Sequence, residues 1–279
     1  MKNLFYIVSV FILLSQAPQA QDNFLETSYR IPKESEVLTS MGRVTKIGLP
    51  KKMNILVWNL HKGKDDSFAQ DFFTLSRKKD LIVAEEVFLD SLMSYVFLSL
   101  PNYYFNIATS FFLGKDEKRT GVATASQVQA TQISYIKTET DEPAVRTPKM
   151  TIITSYPIKF TNKKLTVVNI HSINFVENKY FNKEIERIYS VIKHIPSPII
   201  FAGDFNTWNE GRLKKLDEIR IRLNLNEASF NPDNRKKFHG NPLDHFLFSK
   251  DLKVHSAKVE EFYMGSDHKP LEIELEYMP

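Results

Sequence analysis

Short apolar runs alternate with amphipathic stretches from Met53 onward, and their periods assign most of the elements. Ile55-Leu56-Val57-Trp58, Leu81-Ile82-Val83-Ala84 and Ile199-Ile200-Phe201-Ala202 are unbroken apolar runs, too short for helices and suited to strands buried on both faces. Helices are predicted over Ser67 to Lys79, from Asp90 as N-cap to Leu100 where Pro101 stops it, and over Glu210 to Leu223. The clearest helix is Asn178 to Ile195, where Phe181, Ile185, Ile188, Ile192 and Ile195 step by four and three between Lys, Glu and Arg. Strand-like stretches cover Tyr103 to Phe112, Val122 to Tyr135, Met150 to Thr154, Leu165 to Ile170 and Leu243 to Phe248. Leu271 to Leu275 alternates with Glu272, Glu274 and Glu276, as a half-exposed strand should. The segment from Leu223 to Pro242 reads as irregular. Strands and helices mixed without strict alternation predict an α/β or α+β domain built on a large sheet or two packed sheets.

The beginning of the chain differs. Met1-Lys2-Asn3 is a basic start, Leu4 to Leu14 an apolar run and Ser15 to Ala20 a small-residue exit, the layout of a secretory signal peptide over residues 1–20. The run falls short of the ~20 residues a membrane span needs. Export, to a periplasm or as a secreted protein, is therefore expected, with no membrane span in the mature chain; an uncleaved anchor is the alternative. Residues 21–52 show no period and read as an irregular lead-in around Pro32 and Pro50. Residues 53–279 contain no linker, charge block or repeat long enough to divide them and are read as one domain.

Composition narrows the chemistry. A chain of 279 residues supplies an ample core without staples. The absence of cysteine excludes disulfides, thiolate metal sites and cysteine nucleophiles, so any metal must sit on oxygen or imidazole ligands. A net charge of +4 is a mild bias toward polyanionic partners.

Acids, amides and histidines fall where the predicted strands end. Asn59 closes the first strand, Glu86 the second, and His171 follows Thr166-Val167-Val168-Asn169-Ile170. Asp204 and Asn206 come just after Ala202-Gly203, Asp244 lies in the penultimate strand, and Asp267-His268 precedes the last. Taken singly, each is a turn former or a structural histidine. Together they are the way a sheet protein feeds polar groups to one rim, where rigid strands hold them still. Two acids with an amide suit a hard divalent cation; two histidines with an acid and an amide suit a phosphoryl group.

The phrases Val57-Trp58-Asn59, Ala84-Glu85-Glu86, Asn169-Ile170-His171, Gly203-Asp204-Phe205-Asn206, Leu243-Asp244-His245 and Ser266-Asp267-His268-Lys269-Pro270 stand in the order found in the endonuclease/exonuclease/phosphatase superfamily. The chain resembles that group, which includes deoxyribonuclease I, AP endonucleases, bacterial sphingomyelinases and inositol-phosphate phosphatases, from Met53 to Glu276. The resemblance implies a four-layer α/β/β/α sandwich. It implies that Glu86, helped by Asn59, holds Mg²⁺ (with Mn²⁺ or Ca²⁺ as alternatives) and that Asp267 is an acid near the metal. By the same resemblance Asp204 orients or deprotonates the attacking water, Asn206 supports it, His171 and His268 contact the scissile phosphate, and Asp244 hydrogen-bonds His268. The stretch Asp141-Glu142-Pro143-Ala144-Val145 resembles a segment of secreted deoxyribonucleases whose glutamate supports the first histidine, which adds Glu142.

Several residues stay open. Relatives carry Gln where Glu85 stands; a second carboxylate either strengthens metal binding or, by strand alternation, points into another layer. His245 reads as packing, and His61 as solvated loop or a substrate contact. Trp208 either stacks on a base or plugs the core. Basic groups at Arg77-Lys78-Lys79, Lys118-Arg119, Arg212-Leu213-Lys214-Lys215 and Arg235-Lys236-Lys237 either track a phosphate backbone, Arg119 among them as a substrate contact, or are solvated faces. The expected protein is an exported, Mg²⁺-dependent phosphodiesterase, first of all a nuclease with DNA as substrate, monomeric and without an evident protein partner. A phospholipid or small-phosphoester hydrolase is the alternative, and a catalytically silent binding module of the same fold the third.

Overall fold

The computed structural model describes residues 28–143 and 146–279, so the expected signal segment 1–20 lies outside the described residues. The chain first lays down β1 (Tyr29–Arg30), a short helix α1 (Glu34–Val37), β2 (Leu38–Gly42), β3 (Lys52–Asn59), α2 (Phe68–Ser76), β4 (Leu81–Phe88), α3 (Ser91–Ser99), β5 (Tyr104–Leu113) and β6 (Lys118–Ser126). It then crosses over for β7 (Gln132–Lys137), β8 (Met150–Pro157), β9 (Lys164–His171), α4 (Asn178–Ile192), β10 (Ile199–Asp204), α5 (Glu210–Arg222) and β11 (Leu225–Glu227). A small hairpin of β12 (Lys237–Phe238) and β13 (Asn241–Pro242) precedes β14 (Asp244–Ser249), and β15 (Leu252–Val259) and β16 (Leu271–Tyr277) return to the first sheet. That sheet runs β1-β5-β6-β4-β3-β16-β15 with β2 also on β5; the second runs β11-β14-β10-β9-β8-β7.

The sheets pack face to face, with helices on both outer faces, giving the four-layer sandwich. Strand alternation decides which layer each apolar residue fills. Ile55 and Val57 of β3, Leu81 and Val83 of β4, Ile200 and Ala202 of β10 and Phe246 of β14 point inward, between the sheets. Leu56, Trp58, Ile82 and Ala84 point outward under Phe68, Phe72, Met93 and Phe97 of α2 and α3. On the other side, Val168, Ile170 and Phe201 meet Phe181, Ile185, Ile188 and Ile192 of α4 and Leu216 and Ile219 of α5. Strands covered on both faces explain the unbroken apolar runs. Polar side chains also cross the gap: Asn169 Nδ2 donates to the carbonyls of Ala84 (3.1 Å) and Ala123 (2.9 Å) in the opposite sheet.

Three stretches differ from the expectation. Residues 29–42 are not irregular, because β1 and β2 pair with β5 and extend the first sheet. The stretch Val122 to Tyr135 is two strands in two sheets, β6 and β7, separated by the crossover. The strand β15 carries polar residues at half its positions, and pairing with β16 rather than periodicity makes it a strand.

Candidate active site

Strand alternation also delivers the site. Continuing the inward positions to the strand ends reaches Asn59 after Val57, Asp204 after Ala202, His171 after Val167 and Asn169, and Asp244 before Phe246. Asp204 stands opposite His171 in the parallel pairing of β10 with β9, and opposite Asp244 in the antiparallel pairing with β14. Gly203, at φ +129°, is required there: a Cβ would sit 2.2 Å from the Ile170 carbonyl oxygen.

Asp204 Oδ2 is where the stretches meet. Asn59 Nδ2 donates to it at 3.0 Å, His171 Nε2 lies 3.6 Å away and His268 Nε2 4.0 Å away. Asp204 Oδ1 accepts the Asn206 backbone N–H at 2.9 Å. The Asn206 side chain itself turns aside and donates to the Ser172 carbonyl at 3.0 Å. His268 is placed from two directions. Its Nδ1 faces both Asp244 oxygens at 2.8 and 3.1 Å, and its carbonyl accepts from Trp58 Nε1 at 3.0 Å. Ser266 Oγ donates to the Asn59 carbonyl at 2.6 Å and accepts the His268 N–H at 3.1 Å, tying the last motif to β3.

Glu86 reaches the site by a different device. Alternation from Leu81 and Val83 puts Glu85, not Glu86, on the inward face. A bulge between Ala84 and Val87, with Glu86 at φ +48°, turns Glu86 toward the cleft. His61, Lys62 and Asn206 share this left-handed backbone, at φ +47°, +58° and +51°, a clustering typical of functional sites. Glu86 Oε2 lies 3.2 Å from Lys62 Nζ. With His171, Lys62, Glu142 and Lys149 it lines a cavity of about 90 Å³ floored by Ser110, Thr120 and Val122. Glu85, fully buried, finds no hydrogen-bond partner for either carboxyl oxygen.

Burial and neighbours sort the charges. Burial disfavours the His268 imidazolium, but Asp244, with Asp204 and Asp267 beyond it, pushes the ring up to about 10. Burial and the nearby Lys149 ammonium hold His171 well below the usual imidazole range, so it is neutral. Burial, with Asp244 and Glu86, raises Asp204 against the pull of His268 and the Asn206 N–H. Burial works against ionised Glu86 too, yet His171, Lys62 and Lys149 outweigh it and hold the carboxyl well below its ordinary range. Of these, the Lys62 ammonium is the one that also hydrogen-bonds the carboxylate. For Glu85, burial followed by Asp244 and Asp204 raises the carboxyl well above normal, and it is protonated.

The remaining expected residues are placed as follows. Asp267 sits on the rim, its carboxylate 3.3 Å from Lys236 Nζ and 3.9 Å from His61 Nδ1, and it is not part of the cavity that Glu86 lines. Glu142 shares that cavity with His171, but its oxygens take the Asn174 N–H at 2.9 Å and Lys149 at 3.4 Å instead of the histidine. Arg119 is turned away from the cleft: it donates to the Glu36 carbonyl and Thr109 and lies over the Phe112 ring, so packing between β6 and α1 occupies it. Trp208 is a packing residue, one face covered by the Arg212 guanidinium at 4.7 Å and its edge against Phe238. His61 bonds Asp65 at 2.9 Å, and His245 does more than pack, joining Glu227 and Thr207 at 2.7 Å each. Lys62, Lys149 and Ser266 were not named as site residues, and of these only Ser266, inside the motif Ser266-Asp267-His268, carried a usable signal; Arg212, read within a basic group as a phosphate contact or a solvated face, is instead fully buried.

The donor set suits a hard divalent cation. It offers the ionised Glu86 carboxylate, already facing an ammonium, and the Asn59 amide oxygen, which accepts only the His61 N–H. Oxygens of Asp204 and Asp244 and a nitrogen of His268 lie within 4.8 Å of one another as a second group.

The chain is similar to known proteins. The chain matches the Endonuclease/Exonuclease/phosphatase family over residues 56–268 and belongs to it. A UPF0294 protein of Vibrio campbellii is 30% identical over 259 residues, covering 87% of this chain and 89% of that protein. Among solved structures, an endonuclease/exonuclease/phosphatase family protein from Leptotrichia buccalis superposes with a TM-score of 0.62 at 20% identity, over 81% of this chain and all of that one. A mannosyl-6-phosphatase of Bacteroides thetaiotaomicron gives 0.60 at 17% identity, over 81% of this chain and 100% of that one. The family and its fold make the chain a phosphoester hydrolase of this class.

Proposed function

We propose that the protein is an exported phosphodiesterase dependent on Mg²⁺ or a similar divalent ion, hydrolysing nucleic-acid backbones with little sequence preference. The observation that carries the chemistry is the convergence of Asn59, His171 and His268 on a single oxygen of Asp204, deep in the cleft. Asp204, its carboxyl raised by burial, takes a proton from the attacking water; the Asn206 N–H keeps it oriented. The His268 imidazolium, fixed by Asp244, is a positive group aimed at the phosphoryl oxygens, a role worth ~10²–10³ in rate. Neutral His171 donates a hydrogen bond to the phosphate. Glu86 and Asn59 would hold the cation, which supplies charge neutralisation at the phosphoryl group. In support of a polymer substrate, Phe175, four residues after His171, and Phe262, six before His268, are 74% and 93% exposed on loops, aromatic faces of the kind on which bases can stack.

The second reading, a small phosphoester or phospholipid headgroup, has its own observation: the basic clusters are spoken for. Lys79 pairs with Glu272, Lys215 with Glu186, Arg235 and Lys237 with Asp233, and Lys236 with Asp267, while Arg212 is buried. Incubating the mature protein with plasmid and single-stranded DNA plus Mg²⁺, with and without chelator, separates the readings. Chelator-sensitive DNA cleavage supports the nuclease; intact DNA alongside phosphate or headgroup release selects the second.

A further inference from the structure

We infer that Arg212 is a positioning residue of the hydrolytic site, a buried clamp that sets the loop after His171 against the loop carrying Asn206. The inference rests on the phosphoester-hydrolase reading. Arg212 lies in the first turn of α5 and is fully buried. Its backbone is fixed by the N-cap Asn209, whose Oδ1 accepts the Arg212 N–H at 3.0 Å, and Asn209 is itself paired side chain to side chain with Asn178 of α4. From there Nη1 donates to the carbonyls of Ile173 and Asn206, and Nη2 to that of Val176, each at 2.9 Å. The guanidinium plane is held between the rings of Phe181, at 4.6 Å, and Trp208, at 4.7 Å.

This is more than helix packing requires. A cation buried without a carboxylate in contact is costly, and an apolar side chain would fill the same volume without that penalty. What a planar fork alone can do is meet three carbonyls from two segments at once. The segments are those that carry the chemistry. Ile173 lies two residues after His171, and the intervening Ser172 carbonyl takes the Asn206 amide. Asn174, next in line, gives its N–H to Glu142 in the cavity wall. Asn206 in turn holds Asp204 through its backbone N–H. The acids that favour the Arg212 charge through space are Glu142 and Asp204. Arg212 is fully buried and spends both terminal nitrogens on backbone carbonyls, so its effect on the reaction passes through these loops.

The test compares wild type, Arg212→Lys and Ile219→Ala, the last a buried position on the same helix that contacts neither loop carbonyl. Amide hydrogen exchange is read across residues 172–176 and 205–208, and kcat and KM are measured on bis(p-nitrophenyl) phosphate with Mg²⁺ or Mn²⁺. Lysine keeps the charge and loses the fork. The expected result is joint loss of protection in both segments, with kcat down about 10- to 100-fold and KM within about 3-fold, the signature of misplaced groups. Ile219→Ala should lower the melting temperature without reproducing either effect. Wild-type kcat and protection in Arg212→Lys, or the same losses in Ile219→Ala, overturn the clamp. A wild type inactive on bis(p-nitrophenyl) phosphate, DNA and small phosphoesters alike instead overturns the functional reading, and the positioning role of Arg212 with it.

Discussion

Replacing Asp244 with Asn should remove the charge that keeps His268 protonated. In the wild type the carboxylate faces Nδ1 at 2.8 and 3.1 Å and, against the effect of burial, pushes the ring up to about 10. Moving the proton's hold from the ordinary 6.5 to about 10 corresponds, at roughly 1.36 kcal/mol per pH unit, to on the order of 5 kcal/mol. With the carboxylate gone, only the more distant Asp204 and Asp267 oppose burial, and the imidazole's hold on its proton weakens toward neutral pH. The cleft then lacks one fixed positive group, and kcat should fall by ~10²–10³. Stability gives a second readout. The folded ring binds its proton more tightly than the unfolded one, so its stabilisation is complete below about pH 6.5 and is lost as pH rises through about 10. Urea unfolding at about pH 6, 8 and 10 should show that decline in the wild type and its absence in Asp244→Asn. Wild-type turnover in the variant at neutral pH, with an unchanged stability profile, would refute the assignment of His268 as the cation.

Three further outcomes follow from the geometry. Glu86→Gln should weaken Mg²⁺ or Mn²⁺ binding at least about 10-fold by titration calorimetry while the melting temperature holds, because the carboxylate is the charged ligand; unchanged affinity would move the metal elsewhere. Gly203→Ala should destabilise by about 3 kcal/mol or more in urea, since φ +129° and the Ile170 carbonyl leave no room for a methyl group; a stable variant would contradict the close approach. Glu85 is protonated when folded and ionises above about pH 4.5 when unfolded, so it lowers stability increasingly as pH rises. Glu85→Gln should therefore gain on the wild type from about pH 5 to 8 in urea melts, and a pH-independent difference would show that Glu85 is ionised in the core.

How much was legible in the sequence differs between layers and rim. The central strands were readable because both faces of β3, β4 and β10 are apolar, and α4 because its stripe is unbroken. The strand ends followed from the same periodicity, which is why Asn59, His171, Asp204 and Asp244 converge as expected. Glu86 is different: its motif named it, but alternation alone would have chosen Glu85, and only the bulge reverses the two. Arg119 and Trp208 looked like substrate contacts because charge and aromaticity are visible in a sequence, whereas the packing partners that absorb them, Glu36 and Phe112 for one and Arg212 for the other, are set by the tertiary fold. The edge strands β2 and β15 were hidden because pairing, not apolarity, holds them.

The amide of Asn169 reaches across to two neighbouring strands of the other sheet, just below the cleft. It therefore works as a spacer of set length between the two halves of the sandwich. With the Asn59–Asp204 hydrogen bond, it helps set the width at which Glu86 of one sheet confronts His171 of the other.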